Sequence, residues 1–443
     1  MRIIIIGAGA VGSYLAERLS TDGQDVVVIE DDEERAAELQ DRIDALVIVG
    51  NGASRRTLED AGVAKADLLI AVSNSDGANV LACHTGKELG AKTTIARIED
   101  PEIGEGADRL GVDVVIDPSA TAAEELVDIV GFGGATEMIQ FADGKLVMVG
   151  GIVSPNAPIT TAPLRELRLR AAEWGWVVAA LVREGRTSVA HGDTVVRSGD
   201  HALVMTTEDA VEKATRMLGV QRRHLDRAVI LGSTRLAELA AGEMLGADLS
   251  VVLVDEDAGR CRRLASKYPK ALVIRGDPTD PDVLNGLDLG QKDVALGLSG
   301  WDEVNLLGCL VAKASGAGMA IARFNRISYV RLLAGVGIDA AVSSRLMAAS
   351  AILRFVRRGA IERVATFSDT DAEAIEIEAA GGAEAIGKTL LELRLPLGVV
   401  IGGISRAGTT FVPDGSTVIK TGDHIIFFAL PRDIEQSAAL FTA

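Results

Sequence analysis

The sequence predicts an α/β protein built by tandem duplication, in which a Rossmann-like domain with a doubly wound parallel sheet, followed by a small α+β domain, occurs twice. The apolar run Ile3–Ile6 leads straight into a glycine-rich loop, as a buried strand does before a helix. A similar run begins again after Arg227, and matching segments follow it at a nearly constant offset. The chain has 443 residues, which is too long for a single domain with one hydrophobic core. Repetition on this scale therefore predicts two copies of the unit.

The first unit opens with a predicted strand–loop–helix–strand motif. Its loop reads Gly-Ala-Gly-Ala-Val-Gly over residues 7–12. In this pattern Gly7 permits the tight turn, Gly9 lets the backbone approach a pyrophosphate, and Gly12 lets the helix lie close to the strand. The N-terminus of the helix offers free N–H groups to the phosphates. The motif therefore predicts a dinucleotide-binding site, whereas the alternative is a glycine-rich turn that serves packing alone.

Glu30 follows the second predicted strand, Val26–Ile29. In sites of this type an acidic residue roughly 20 positions after the loop accepts hydrogen bonds from the ribose 2′-hydroxyl. The negative charge of such a residue would repel a 2′-phosphate. The sequence therefore favours NAD over NADP.

The other strands of the first sheet are predicted at residues 45–49, 68–72, 93–96 and 114–117, with helices between them. Polar residues follow these runs, at the sheet edge where ligands of open α/β sheets bind. Asn51 lies in a Gly-Asn-Gly turn, Ser73 and Asn74 follow the fourth strand, and Arg97 ends the fifth. Ser73 and Asn74 can bind ribose or phosphate, or cap the next helix. Arg97 can clamp a phosphate or form a surface ion pair.

A change of pattern after the predicted helix 122–130 indicates the small α+β domain. The glycine cluster Gly131–Gly134 predicts a hinge, with Arg357-Arg358-Gly359 as its counterpart in the second copy. An amphipathic helix is predicted to begin near Leu164, and His191–His201 predicts two turns that frame a short strand. Further short strands are predicted at 138–141, 147–152, 176–182 and 202–205.

The second copy departs from the first in its glycine loop, which reads Gly-Ser-Thr-Arg-Leu-Ala over residues 232–237. Thr234 places a β-branched side chain where the pyrophosphate would approach. The acidic residue and the arginine of the first copy are repeated by Asp255 and Arg323. We therefore expect the second cleft to bind dinucleotide weakly or not at all.

Composition excludes several classes of function. The formal net charge of −18 disfavours nucleic acid, which needs a basic footprint, and a bare anionic membrane surface. No apolar run approaches the roughly 18 residues of a membrane span, and no basic segment precedes a cleavable signal, so we expect a cytoplasmic protein without direct membrane insertion. Cys83, Cys261 and Cys309 are too widely spaced for a disulfide framework or a zinc site. No catalytic or metal-binding residue is predicted.

With its duplicated six-stranded fold and paired small domains, the chain resembles the TrkA family. These proteins are peripheral regulatory subunits of the bacterial Trk potassium uptake system and are built from RCK (regulator of potassium conductance) domains. The segments that carry the resemblance are 5–12, 50–52, 72–79 and 95–98. The resemblance implies RCK N-type domains at 1–132 and 221–357, followed by RCK C-type domains at 133–220 and 358–443.

The resemblance also implies a function. It implies that the chain senses NAD or NADH, with ATP or ADP competing. It further implies homotetramers that dock, on the cytosolic face of the inner membrane, to a potassium pore subunit of the TrkH or TrkG type. The complete predicted cofactor site comprises Gly7, Ala8, Gly9, Ala10, Val11, Gly12, Glu30, Asn51, Ser73, Asn74 and Arg97.

Two other functions stay open on the sequence. An NAD-dependent dehydrogenase would need a substrate domain that brings a His, Lys or Tyr acid–base group to the nicotinamide. The five histidines lie in predicted helix, turn and linker segments instead, so we expect no enzymatic turnover. A nucleotide-binding scaffold with a non-transport partner fits the same sequence.

Overall fold

The computed structural model describes residues 1–171, 173–220, 223–326, 336–356, 361–367, 370 and 372–442. The chain forms two compact units. The first comprises residues 1–121 together with the helix Ser344–Val356, and the second comprises the rest of the chain. The predicted hinge at 357–359 lies outside the described residues. Among the residues that are described, no helix has both the length and the hydropathy needed to cross a membrane.

The first unit contains a sheet of six parallel strands. They are β1 (Arg2–Ile6), β2 (Asp25–Glu30), β3 (Leu46–Val49), β4 (Leu68–Ala71), β5 (Thr93–Arg97) and β6 (Val114–Ile116). The helices that connect or follow them are α1 (Ala10–Thr21), α2 (Glu33–Gln40), α3 (Arg55–Asp60), α4 (Asp76–Glu88), α5 (Pro101–Gly104) and α6 (Pro118–Phe132). The strand order β3-β2-β1-β4-β5-β6 confirms the predicted doubly wound sheet.

Strand β1 lies at the centre of this sheet, hydrogen-bonded to β2 on one side and to β4 on the other. Ile3, Ile4 and Ile5 are completely buried, which explains why the strand is a continuous apolar run rather than an alternating one. The strand order reverses next to β1, because the chain crosses to its other side after β3. Such a reversal leaves a crevice at the carboxyl ends of the strands, where ligands of open α/β sheets bind.

The first small domain is a five-stranded antiparallel sheet with two helices, α7 (Leu164–Arg170) and α8 (Val211–Leu218). Its strands are β7 (Glu137–Phe141), β8 (Leu146–Ile152), β9 (Trp176–Arg183), β10 (Arg186–Val189) and β11 (His201–Thr207). The sequence pattern does not predict β10 or α8. Strand β10 lies at the sheet edge and is joined to β9 by the two-residue turn Glu184-Gly185, so it lacks an apolar run.

The prediction of a short strand within His191–His201 is wrong. Both turns are present, but residues 191–200, all of them described, contain no strand. The carbonyl of Thr194 accepts the backbone N–H of Leu164 at 3.0 Å. The carbonyl of Val195 accepts a hydrogen bond from Arg183 Nη2 at 3.1 Å. A helix start and a side chain therefore satisfy polar groups that a neighbouring strand would otherwise pair.

The second parallel sheet repeats the first, with strand order β14-β13-β12-β15-β16-β17. Its strands are β12 (Arg227–Leu231), β13 (Ser250–Asp255), β14 (Leu272–Arg275), β15 (Asp293–Gly297), β16 (Met319–Arg323) and β17 (Ala340–Val342). Its helices are α9 (Arg235–Gly246), α10 (Ala258–Lys267), α11 (Pro281–Asn285) and α12 (Asp302–Ala314). The next helix in the described chain, α13 (Ser344–Val356), belongs to the first compact unit rather than to this sheet.

The second small domain has the strand order β18-β19-β22-β20-β21. Its elements are β18 (Ile361–Thr366), β19 (Glu373–Glu378), β20 (Val399–Arg406), β21 (Thr409–Phe411), β22 (His424–Ala429) and α14 (Ile434–Ala439). The two small domains share one hydrophobic core, to which Phe141 and Met148 contribute from the first and Ala374 and Phe428 from the second. The predicted duplication of a parallel-sheet domain and a small α+β domain is confirmed.

Candidate functional site

The three loop glycines that follow β1 are present for different physical reasons. Gly7 has a φ of +97°, which L side chains rarely adopt, and a Cβ on Gly12 would lie 1.8 Å from the carbonyl oxygen of Gly7. Gly9 has an ordinary φ of −65°, and a Cβ placed on it would meet nothing within 4 Å. The fold of this chain therefore requires the first and third glycines but not the second. The space beside Gly9 is open.

Helix α1 begins directly after Gly9 and has no side-chain cap there. Gly9, Ala10 and Val11 all line a cavity at the carboxyl edge of the sheet. The first N–H groups of an α-helix have no partner within the helix and carry its partial positive charge. This end of the cavity is therefore suited to an anion such as a phosphate.

Glu30, at the end of β2, lines the same cavity and is 3% exposed. One carboxylate oxygen accepts the backbone N–H of Ala8, and the other accepts that of Asp32 at 3.1 Å. Arg35 Nη1 lies 3.8 Å from Glu30 Oε1. A carboxylate has about four lone-pair positions, so these contacts leave capacity for a ribose hydroxyl. Glu30 thus holds the loop through its backbone contacts, and its predicted contact with a ribose stays a prediction.

Asn79 fixes the two strand ends that carry Ser73 and Arg97. Its Oδ1 accepts the backbone N–H of Ser73 at 3.0 Å and the Ser73 hydroxyl at 2.7 Å. Its Nδ2 donates to the carbonyls of Ser73 at 3.0 Å and Arg97 at 2.8 Å. Asn79 is completely buried, and Arg97 forms an ion pair with Glu99 at the rim. The sequence interpretation missed this role of Asn79, although its spacing from Ser73 recurs between Ser299 and Asn305.

The cavity has a volume of about 450 Å³, within the range of small-ligand sites. Most of the predicted site residues line it: Gly7, Gly9, Ala10, Val11, Glu30, Asn51, Ser73, Asn74 and Arg97. Ala8 and Gly12 do not, because Ala8 is buried against Glu30 and Gly12 against the turn at Gly7. The structure therefore brings nine predicted residues together at one edge of the sheet.

Two arginines of the cavity were not predicted. Arg35 lies on α2, only five positions after Glu30. A basic residue this close to the predicted acidic site residue could have been recognised in the sequence. Arg345 lies on α13, more than 200 residues further along the chain. No local pattern links Arg345 to the glycine loop, so only the fold reveals it.

The corresponding cleft of the second sheet is smaller, at about 320 Å³. Thr234 takes the place of Gly9 and caps α9, because its hydroxyl oxygen accepts the backbone N–H of Ala237 at 3.4 Å. The same hydroxyl donates to the carbonyl of Leu298 at 2.6 Å. Ser233 Oγ donates to Asp255 Oδ2 at 2.6 Å. The Thr234 hydroxyl thus caps a helix start that the first cleft leaves uncapped, and a loop side chain rather than a loop backbone N–H bonds the acidic residue.

Cys83 and Cys309 lie in the environment of packing residues rather than of reactive thiols. Cys83 and Cys309 are completely buried at equivalent places on α4 and α12. Burial raises the pKa of each of these two thiols to about 12, far above the range of a reactive cysteine. Among the described residues, no cluster of three or more His, Cys, Asp or Glu side chains could hold a metal ion.

Family models match the chain in four segments. The TrkA-N domain matches residues 3–118 and 228–344, and the TrkA-C domain matches residues 152–219 and 374–442. The matched segments cover more than half of the chain and alternate as the duplication does. The TrkA-N segments contain the two parallel sheets.

Curated relatives match over nearly the full length. The Trk system potassium uptake protein TrkA of Haemophilus influenzae is 32% identical over 438 residues, which cover 97% of this chain and 95% of the relative. The Trk system potassium uptake protein TrkA homolog 1 of Methanosarcina mazei is 33% identical over 445 residues, 97% of each chain.

Solved structures share the fold at lower identity. The GsuK channel bound to NAD is 19% identical, with a TM-score of 0.60 over 99% of this chain and 78% of that chain. A crystal structure of the GsuK RCK domain is also 19% identical, with a TM-score of 0.60 over 99% of this chain and 94% of that chain. Domain matches, full-length relatives and fold agree with each other. The chain belongs to the TrkA family of Trk-system potassium uptake proteins.

Proposed function

We propose that this chain is a peripheral regulatory subunit of a Trk-type potassium uptake system. In this proposal the first cleft binds NAD or NADH, with ATP or ADP competing, and the bound nucleotide gates a membrane pore subunit. Gly9 is the observation that carries nucleotide binding. Neither the backbone conformation nor the packing of the described chain requires a glycine there, whereas close approach of a pyrophosphate does.

The residues around the cleft suit the two ends of such a ligand. Glu30 would accept a hydrogen bond from the adenosine ribose, on the side of the sheet formed by β2 and β3. The uncapped start of α1 and the guanidinium of Arg97 would bind the phosphates. The negative charge of Glu30 favours NAD over NADP.

Solved structures of GsuK support the choice of ligand. One holds NAD, and another, 17% identical to this chain with a TM-score of 0.51, is bound to ADP. Both nucleotides contain an adenosine joined to a phosphate chain. A cleft with a ribose acceptor at one end and phosphate donors at the other suits the shared part of both ligands, which is why we propose competition between them.

Gating follows from differential affinity. A nucleotide shifts a pore between two states only as far as it binds one state of the assembly better than the other. A coupling free energy of about 1–3 kcal/mol would change the equilibrium constant between the open and closed states of the partner roughly 5- to 150-fold. We propose that the assembly is a homotetramer docked on the cytosolic face of a TrkH- or TrkG-type potassium pore.

The test is potassium flux in liposomes that contain a TrkH- or TrkG-type pore protein encoded next to this chain. Purified protein is added with no nucleotide, with NADH or with ATP, and flux is compared among the three conditions. We expect the flux to depend on both the protein and the nucleotide. A Gly9→Val variant should bind the pore but abolish the nucleotide response, and Thr234→Val serves as the matched control because it changes the same position of the second loop.

Two outcomes would contradict the proposal. Flux that is indifferent to the protein and to the nucleotide would remove the transport role. Tight nucleotide binding without any complex with the pore would instead favour a nucleotide-binding scaffold with a different partner.

A further inference from the structure

We infer that Arg345 binds the nucleotide phosphates in the first cleft, so that the ligand contacts a helix contributed by the second half of the chain. The inference rests on the proposed nucleotide function and adds a residue and a route of regulation to it. The juxtaposition that carries it is the lining of one cavity by the start of α1, by Arg97 and by Arg345.

Helix α13 brings Arg345 to the cleft. The helix begins at Ser344, immediately after the segment that contains β17 of the second sheet, yet it belongs to the compact unit formed by residues 1–121. Within that unit α13 packs against α1 and against β6. Arg345 is its second residue, so the side chain is carried by a helix that contacts the phosphate-binding helix itself.

The position of α13 defines which end of the ligand Arg345 meets. Strand β6 neighbours β5, which ends in Arg97, and both lie on the opposite side of β1 from β2, which ends in Glu30. Arg345 therefore enters from the side of Arg97, away from the ribose acceptor. Two guanidinium groups and a helix N-terminus at one end of the cleft form a setting for a polyphosphate.

The second cleft offers the natural comparison. By the offset that relates Asn79 to Asn305, the residue equivalent to Arg345 is Ser119 on α6. Ser119 Oγ lies 3.5 Å from Glu99 Oε2, and among the described residues that line the second cleft none comes from α6. The contribution of Arg345 is therefore specific to the first cleft, which is also the one with an open glycine loop.

A regulatory consequence follows. A nucleotide held by the loop after β1 and by Arg345 favours the arrangement in which α13 stays packed on the first sheet, because a ligand stabilises the state that it binds best. The segment that contains β17 precedes α13 directly in the chain. Occupancy of the first cleft would thus act on the second half through a covalent connection.

The experiment measures binding of NADH and ATP to the full chain by calorimetry at low and high salt. Arg345→Gln should weaken ATP binding about 10-fold or more, and NADH binding less, because ATP carries more phosphate charge. The variant should also show a smaller loss of affinity with added salt, which a purely structural role would not produce. Arg55→Gln removes the same charge from a residue of α3 that does not line the cavity, and should bind like wild type.

Thermal unfolding without nucleotide checks that the variants fold. If the Arg345→Gln variant does not fold, the Arg345→Met variant is used in its place, because Met keeps most of the apolar stem of arginine without the charge. Wild-type affinity and salt dependence in the folded variant, with Gly9→Val binding neither nucleotide, would overturn the inference and leave the proposed function standing. Wild-type affinity in both Arg345→Gln and Gly9→Val would overturn the nucleotide site itself.

Discussion

The first and second clefts differ at the start of the helix that follows their central strand. Gly9 and Thr234 have nearly the same backbone conformation, with φ and ψ of −65° and −173° against −68° and 168°. In the first cleft the helix end is uncapped, and in the second a hydroxyl of the protein caps it. A single side chain therefore decides whether this helix start is capped, without any change in the fold.

The surrounding scaffold is the same in both copies. Asn305 accepts the backbone N–H of Ser299 at 2.6 Å and donates to the carbonyl of Arg323 at 2.9 Å, as Asn79 does in the first copy. Asp255 accepts the backbone N–H of Asp257 at 2.9 Å, as Glu30 accepts that of Asp32. The hydrogen bonds that hold the strand ends are therefore the same whether the helix start after the central strand is capped or uncapped.

Substitution at the glycine loop should produce the largest difference in NADH affinity between the two clefts. Gly9→Val fills the space that the pyrophosphate needs, and we expect a loss of NADH affinity of about 100-fold or more. Thr234→Val should leave the measured affinity unchanged, because a β-branched side chain already stands where the pyrophosphate would approach in that cleft. Fluorescence titration with NADH measures both variants. Equal losses in the two would break the distinction between the clefts.

The acidic residues should show the next largest effect. Glu30→Gln keeps the shape of the side chain but removes the carboxylate that we propose as the acceptor of the ribose hydroxyl, and we expect about a 10-fold loss of NADH affinity. Asp255→Asn is the matched change in the second copy and should have no effect on binding. Calorimetric titration of each variant checks this prediction, and an effect of Asp255→Asn on affinity would contradict it.

The buried asparagines separate scaffold from site. Asn79→Ala and Asn305→Ala each leave buried backbone groups without partners, and each should lower the free energy of unfolding by about 1–3 kcal/mol. Only Asn79→Ala should also weaken NADH binding, several-fold, because it loosens Ser73 and Arg97. Urea unfolding and NADH titration on the same samples give both quantities. Identical binding by the two variants would show that the strand ends do not position the ligand.

The smallest expected effect is on stability. Thr234→Val removes a helix cap and should lower the free energy of unfolding by about 1 kcal/mol. Gly9→Val removes no cap and meets no atom within 4 Å, so its stability without ligand should stay within about 0.5 kcal/mol of wild type. Thermal unfolding without nucleotide compares them. A larger loss in the Gly9 variant would mean that Gly9 serves packing.

The sequence was sufficient where function and fold depend on neighbouring residues. The apolar runs predict all six strands of the first sheet. The spacing from Gly7 to Glu30 predicts that both residues belong to one site, and both line the same cavity. It was insufficient where distant segments meet. Nothing near Arg345 indicates that α13 joins the first unit. The sequence pattern also missed β10, for a different reason: this polar strand is defined by its hairpin with the adjacent β9 rather than by an apolar run.

The number of NADH molecules bound per chain shows whether one cleft or both bind dinucleotide. Calorimetry on the full chain at saturating NADH should give one site per chain, lost in Gly9→Val and retained in Thr234→Val. Two equivalent sites per chain would contradict this assignment, because one of them would lie in the cleft whose loop carries Thr234. One site that survives Gly9→Val would contradict it too, because the pyrophosphate would then not need the open space beside Gly9.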